Sequence, residues 1–408
     1  MESSSNHRAA VRFGLAAGTG AAIWLFLLSG WLGVQPGQPA ALRSDVIFQC
    51  DAGQRIDDTL MGTNSFGIGT HFLLGKTWPH ALGFFNRQFP NPAVAAVYIS
   101  RIAAALGAGV GLGFFFGCLA RIGWSRRKRI AALAFLLASS YQVIACLPDH
   151  FAFSSGLLPA CYGVYLLTIH SLLSKKTALR WLVGLAFLAA SICLTNAIWP
   201  ALLIAGLILE GRRIDWRFAV PIAIAGIVGF AVLVKVIERH GHLWPVTWQA
   251  KHWLHLRLVD APADALLRMG RGIIDPTVAP SPDLDTNNLH AVPMLTFEPS
   301  EAMPLWPFDP YRTIAAIIWL VALGWSLSDV RTPEVKWLAI WIAWNLIFHN
   351  LWGDEFFLYS PHYGWALALI PFASKRLNSL LKYALILVFI GQLLALNEVA
   401  ARVRDIAF

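Results

Sequence analysis

Ser125-Arg126-Arg127-Lys128-Arg129 separates two apolar runs, Ala93 to Ala120 and Ile130 to Leu147. An apolar run of about 20 residues is long enough to span a bilayer. Short loops dense in lysine and arginine stay on the cytoplasmic side. Working outward from this loop, basic residues return at every second turn: Lys175, Lys176 and Arg180, then Arg212, Arg213 and Arg217, then Arg331 and Lys336, then Lys375, Arg376 and Lys382. The alternate turns hold Asp51, Asp149, Asn196, Asp354 and Glu355, with His150 and His362. This asymmetry predicts an all-α, polytopic integral membrane bundle whose N-terminus is cytoplasmic and whose reactive polar groups are exoplasmic.

Composition agrees with that class. Of the 408 residues, 57% are apolar and only 13% charged, against about a quarter charged in a soluble domain. The net charge of +9 sits largely in short loops beside apolar runs, where it sets orientation and attracts anionic lipid. A nucleic-acid partner is not expected. The five cysteines, Cys50, Cys118, Cys146, Cys161 and Cys193, are odd in number and widely spaced, so neither a disulfide framework nor a zinc-knuckle spacing is present.

About eleven spans can be threaded: Phe13–Val34, Ala93–Ala120, Ile130–Leu147, Gly156–Leu173, Trp181–Leu194, Ala197–Leu209, Phe218–Ile237, Tyr311–Leu327, Trp337–Leu351, Tyr363–Phe372 and Ser379–Leu396. The first of these is read as a retained helix rather than a signal peptide, because its apolar stretch is long enough to span. Residues 1–408 thus form one transmembrane domain with two long exoplasmic segments, 35–92 and 238–310. In the first, Ile56, Leu60 and Met61, then Phe72, Leu73 and Leu74, fall at helical spacing and predict amphipathic helices at the interface. The second opens with Trp244, Trp248 and Trp253, which suit an interfacial belt.

Five groups of residues can carry chemistry. In Cys50-Asp51-Ala52-Gly53-Gln54-Arg55-Ile56-Asp57-Asp58, a helix would put Asp51 and Arg55 on one face. The acids there are either solvated residues opposing the helix dipole, or, for Asp51, a general base whose proton affinity is set by nearby apolar walls. In Leu147-Pro148-Asp149-His150-Phe151 the proline ends one helix and Asp149 can cap the next. Asn196, in the tight turn Thr195-Asn196, can satisfy backbone groups or bind a ligand hydroxyl. The turn from His349 through Asp354, Glu355 and Tyr359 to His362 and Tyr363 mixes acids, amides, imidazoles and aromatics, as a sugar site does. His240, His242, His252 and His255 do not match a zinc spacing.

An N-in first helix, a long exoplasmic loop with an early acid and paired short helices together resemble the GT-C-type glycosyltransferases, polytopic enzymes that use polyprenyl-phosphate-linked sugars. The resemblance covers most of the chain as topology. It implies that Asp51 is the catalytic acid of the first outer loop, with interfacial helices supplied by Ile56 to Leu74, and that Arg55, Lys251, Arg257 and His362 face the lipid phosphate. Many members have two acids flanking one residue there, whereas this chain has Asp51-Ala52-Gly53. That departure leaves a divalent metal, and activity itself, open, and no cofactor or metal ligand is assigned.

The resulting expectation is transfer of a sugar from a polyprenyl-phosphate donor to a glycan, lipid or protein acceptor at the outer face of a bacterial inner (plasma) membrane. Asp51 is the base, and Arg55, Asp149, His150, Asn196, Lys251, Arg257, Asp354, Glu355, His362 and Tyr363 bind substrate. The rival readings are a transporter or flippase for a lipid-linked sugar, and another membrane transferase, such as an acyl transferase with His150 or His362 as base.

Overall fold

The computed structural model describes residues 2–37, 50–62, 81–209, 262–278, 283–285, 294–296, 309–351, 357–376 and 378–406. Among these residues the chain is helical, apart from the antiparallel strand pair Asp283–Asp285 and Met294–Thr296. In chain order the helices are α1 (Glu2–Trp31), α2 (Ala52–Met61), α3 (Pro92–Arg121), α4 (Arg126–Ala138), α5 (Gln142–Ala145), α6 (His150–Ile169), α7 (Lys175–Ile192), α8 (Ile198–Leu209), α9 (Pro262–Ile274), α10 (Pro310–Leu327), α11 (Pro333–Leu351), α12 (Ser360–Ala373) and α13 (Ser379–Ile406). Short 3₁₀ turns, Leu194–Ala197 and Phe357–Tyr359, precede α8 and α12. Among the described residues, five helical segments are long and apolar enough to cross a membrane: Asn6–Trp31, Pro92–Arg121, His150–Ile169, Pro310–Leu327 and Leu381–Val403.

Glycines set how closely the first helices approach. Gly14 and Gly18 of α1 lie against Gly113 and Gly109 of α3, so the two helices run antiparallel. A Cβ on Gly18 would sit 2.7 Å from the Gly109 carbonyl oxygen, and one on Gly14 2.8 Å from that of Gly113. On its other side α3 packs parallel to α6, with Gly111 on Gly156 and Cys118 on Gly163. Small residues at such crossings let backbones touch where lipid offers no hydrophobic drive for association. The other half of the bundle is filled by rings. Trp199, Trp341, Trp365 and Tyr162 are all fully buried, with centroids 5.1 Å apart for Trp199–Trp341 and 6.0 Å for Tyr162–Trp365.

The helix ends sort by chemistry. At one end Arg121 meets His7, His170 lies 3.3 Å from Glu334, Lys175 donates to the Leu207 carbonyl, and Asp329 accepts from Ser374, the Lys375 amide and Arg376. At the other end lie α2, the start of α6, the turn before α8, and the start of α12, where Asp149, Asn196 and His362 are buried. Arg312 of α10 pairs with Glu398 of α13 at that same end.

Three expectations about local structure are corrected. The span expected over Ile130–Leu147 is not one helix. It breaks at Ser139-Ser140, where the Ser140 hydroxyl donates to the Thr277 carbonyl (3.1 Å) and the Tyr141 amide donates to the Pro276 carbonyl (2.9 Å). Acceptors from another segment thus replace the helix's own, as burial of a broken helix requires. Those carbonyls follow α9, whose Ile273 carbonyl accepts from buried Trp319 in the middle of α10; part of the expected outer segment 238–310 therefore enters the bundle. The helix expected from Gly156 starts two turns earlier, at His150. Phe218–Ile237, Phe72–Leu74 and the histidines at 240–255 lie outside the described residues.

Candidate functional site

Asp149 organises the polar end. It precedes α6 in an extended conformation, and its Oδ1 accepts from the His150 amide at 2.6 Å, which satisfies one of the free amides of the helix start. His150 Nδ1 lies 2.8 Å from the same oxygen. Oδ2 accepts from the Cys50 thiol at 3.4 Å. Arg55 brings its Nε to 3.8 Å from Oδ1 and its Nη1 to 3.6 Å from Asp58. Arg55, Asp58 and Asp149 are all at most 1% exposed. Two carboxylates and a guanidinium are thus desolvated together, and the guanidinium they share offsets part of the cost of burying them. Burial, with Asp149 and Asp51 beside it, pushes the Cys50 thiol well above its ordinary range, so Cys50 is a donor here and not a thiolate.

Asp51 stands next to this group. It occupies the position before α2, makes no side-chain capping bond there, and is only partly buried. Arg55, whose amide donates to the Asp51 carbonyl one turn back, turns its guanidinium inward to Asp58 and Asp149. Asp58, which read equally well as a solvated acid, is wholly buried, whereas Asp57 is exposed. The reason is the amphipathic pattern of α2, which puts Arg55, Ile56, Asp58 and Thr59 on the covered face.

His362 lies in the first turn of α12, inside a helix and not in the turn before it. Its carbonyl accepts from Trp341 Nε1 (2.8 Å) and Trp365 Nε1 (2.9 Å), which fix the backbone. Its ring is 3% exposed and its Nε2 has no hydrogen-bond partner. Phe151, His349 and Tyr359 surround it, with ring centroids 5.4, 6.0 and 6.3 Å away. His349 itself stacks on Tyr359 at 4.1 Å. Asn196 is buried in the 3₁₀ turn and donates to Ser154 Oγ at 2.8 Å, one turn along α6 from His150. Cys193, just before that turn, lies 3.1 Å from the Thr195 hydroxyl. His150, Cys193 and His362 bring one donor atom each to within 4.8 Å of one another.

Arg55, Asp149, His150, Asn196 and His362 are therefore gathered at one end of the bundle, with Asp51 at the edge of the group. Tyr363, adjacent in sequence to His362, is fully buried in α12. Lys251, Arg257, Asp354 and Glu355 lie outside the described residues. Cys193 and His349 belong to the group although neither is assigned a site role from the sequence. His349 stood in the aromatic turn, but nothing in the spacing marks Cys193, since a cysteine at a helix end reads as a small apolar residue. Among the described residues, which include all five cysteines, no disulfide forms. Compared with family models, curated proteins and solved structures, the chain matches none of them.

Proposed function

We propose that the chain is a multi-pass membrane glycosyltransferase of GT-C-like layout, with about eleven spans, a cytoplasmic N-terminus and a site that faces the exoplasm. It transfers a sugar from a polyprenyl-phosphate donor to an acceptor hydroxyl. The observation that carries the reading is the meeting of the helix after the first span with the heads of α6 and α12. This meeting sets a partly exposed carboxylate, Asp51, beside a polar cluster of buried Arg55, Asp149 and His362 with half-buried His150.

In this mechanism Asp51 removes the acceptor proton as the hydroxyl attacks the anomeric carbon. The bond from that carbon to the donor phosphate breaks, and the leaving phosphate is stabilised by cationic and hydrogen-bond donors near the outer face. Arg55 is held by Asp58 and Asp149 and so acts by shaping the pocket. Lys251 and Arg257 are the cations proposed to meet the phosphate directly.

The basic turns collected at the opposite end of the helices support the orientation. The test is product analysis in membranes supplied with a radiolabelled polyprenyl-phosphate sugar. Label appearing in a new covalent product supports transfer. Label crossing the bilayer with the donor chemically intact would replace the reading with transport.

A further inference from the structure

We propose that His150, Cys193 and His362 form a zinc site. The three residues come from three places that nothing in the sequence connects: the head of α6, the end of α7 and the first turn of α12. Their donor atoms all lie within 4.8 Å of one another. Zinc bonded at about 2.0–2.1 Å to nitrogen and about 2.3 Å to sulfur holds its ligands about 3.3–3.6 Å apart. Side-chain movements of about an ångström therefore close the set around one ion.

A second observation points to a ligand at the same place. His362 is 3% exposed, yet its Nε2 makes no hydrogen bond. A buried polar nitrogen without a partner is costly, and a bound cation removes the cost. The surroundings also match what metal-binding histidines use. Asp149 Oδ1 lies 2.8 Å from His150 Nδ1, and a carboxylate on one ring nitrogen fixes the tautomer and turns Nε2 toward the metal. The backbone of His362 is clamped by two tryptophan N–H groups, and Thr195 is in hydrogen-bond range of the Cys193 sulfur.

The donor set selects the metal. Two imidazoles and one thiolate are borderline-to-soft ligands that suit zinc and reject magnesium or calcium, which require oxygen. Three protein ligands leave a fourth position for a water or phosphate oxygen, as catalytic zinc sites do. Binding requires Cys193 to lose its thiol proton, so one proton is released per ion. The proposal does not depend on sugar transfer: a metal could be bound by a chain that transfers nothing.

The probe is the metal itself, added to the full-length protein purified in detergent. Zinc should bind at one ion per chain. Cobalt in its place should give a near-ultraviolet thiolate-to-cobalt band together with the visible bands of a tetrahedral ion. Cys193→Ser should abolish the thiolate band and His362→Ala the binding, whereas Cys161→Ser, at a buried cysteine remote from the site, should change neither. Asp149→Asn should weaken zinc by about 10–100-fold while keeping the cobalt band, the signature of a positioning residue. Should a variant fail to fold, the wild-type chain answers instead: zinc should slow alkylation of Cys193, mapped by mass spectrometry, and a chelator should restore it. Unchanged alkylation of Cys193 with zinc present, a thiolate–cobalt band that survives Cys193→Ser, or binding of copper but neither zinc nor cobalt would each overturn the assignment.

Discussion

Arg55 Nε lies 3.8 Å from Asp149 Oδ1, with both side chains 1% exposed. This pair fastens α2 to the head of α6, 94 positions further along the chain. Removing one partner of a buried pair strands the other charge, which typically costs about 3–5 kcal/mol. Arg55→Met should therefore lower the unfolding midpoint strongly. Arg55→Met combined with Asp149→Asn should recover part of the loss, since only Asp58, and no longer both acids, is left without its guanidinium. Unfolding in mixed detergent measures all the variants, and strictly additive losses would show that the pair is not coupled.

Gly18 and Gly20 of α1 are two residues apart and should respond oppositely to alanine. A Cβ on Gly18 meets the Gly109 carbonyl at 2.7 Å and the Gly113 Cα at 3.0 Å, whereas one on Gly20 meets nothing within 4 Å. Gly18→Ala should destabilise by about 1–3 kcal/mol through overpacking. Gly20→Ala should stabilise by roughly 0.5–1 kcal/mol through helix propensity. The same unfolding assay gives the two signs.

Orientation can be read by thiol labelling of intact cells. Cysteines introduced at Arg127, Lys175 and Lys375 should be shielded from an impermeant reagent, and one at Asp354 should react. Labelling at Arg127 with protection at Asp354 would invert the proposed topology and move the polar site to the cytoplasm.

Asp51→Asn keeps the size of the side chain and removes the proton acceptor. Transfer from the polyprenyl-phosphate donor should fall by about 10²–10⁴-fold, with the amount of inserted protein unchanged. The exposed Asp57→Asn should leave the rate close to wild type. Full activity in Asp51→Asn would remove the proposed base and make Asp354 the next acid to test.

Asp329 gives a pH signature. The Ser374 hydroxyl, then the Arg376 guanidinium and the Lys375 amide, hold its carboxyl below the usual carboxylate range. A carboxyl depressed in the folded state contributes stability above the unfolded pKa, about 3.9, and loses it as pH falls through the folded value. Thermal stability should therefore decline below about pH 4. In Asp329→Asn it should be lower at neutral pH and decline less on acidification. A mutant with the wild-type pH slope would show that the turn is not anchored by this charge.

The class of the fold was legible because span length and loop charge are local signals. The extents of α3 and α10 follow from apolar runs alone, and Asp149 was readable as a cap because a proline precedes it. The break at Ser139-Ser140 was not legible. Nothing in Leu137-Ala138-Ser139-Ser140-Tyr141 ends a helix by itself, and the acceptors that make the break tolerable come from Pro276 and Thr277. For the site, the threading could say that Asp149, Asn196 and His362 share an end of the bundle, but not that they touch. Which face of α2 is covered depends on the partner that covers it, and for this reason Asp58 and Arg55 were open in sequence and are resolved by packing.

The junction at Tyr141 also bears on how the molecule is made. In the proposed topology the Ser140 hydroxyl and the Tyr141 amide enter the bilayer more than 130 residues before Thr277 and Pro276 exist. A nascent chain that has emerged only as far as α8 has to satisfy those two groups with water or lipid head groups, since hydrocarbon offers neither donor nor acceptor. The early half of the bundle is therefore completed by a segment translated late. Truncations that stop before residue 276 should be retained by membrane-insertion chaperones or degraded, although every helix they contain is intact.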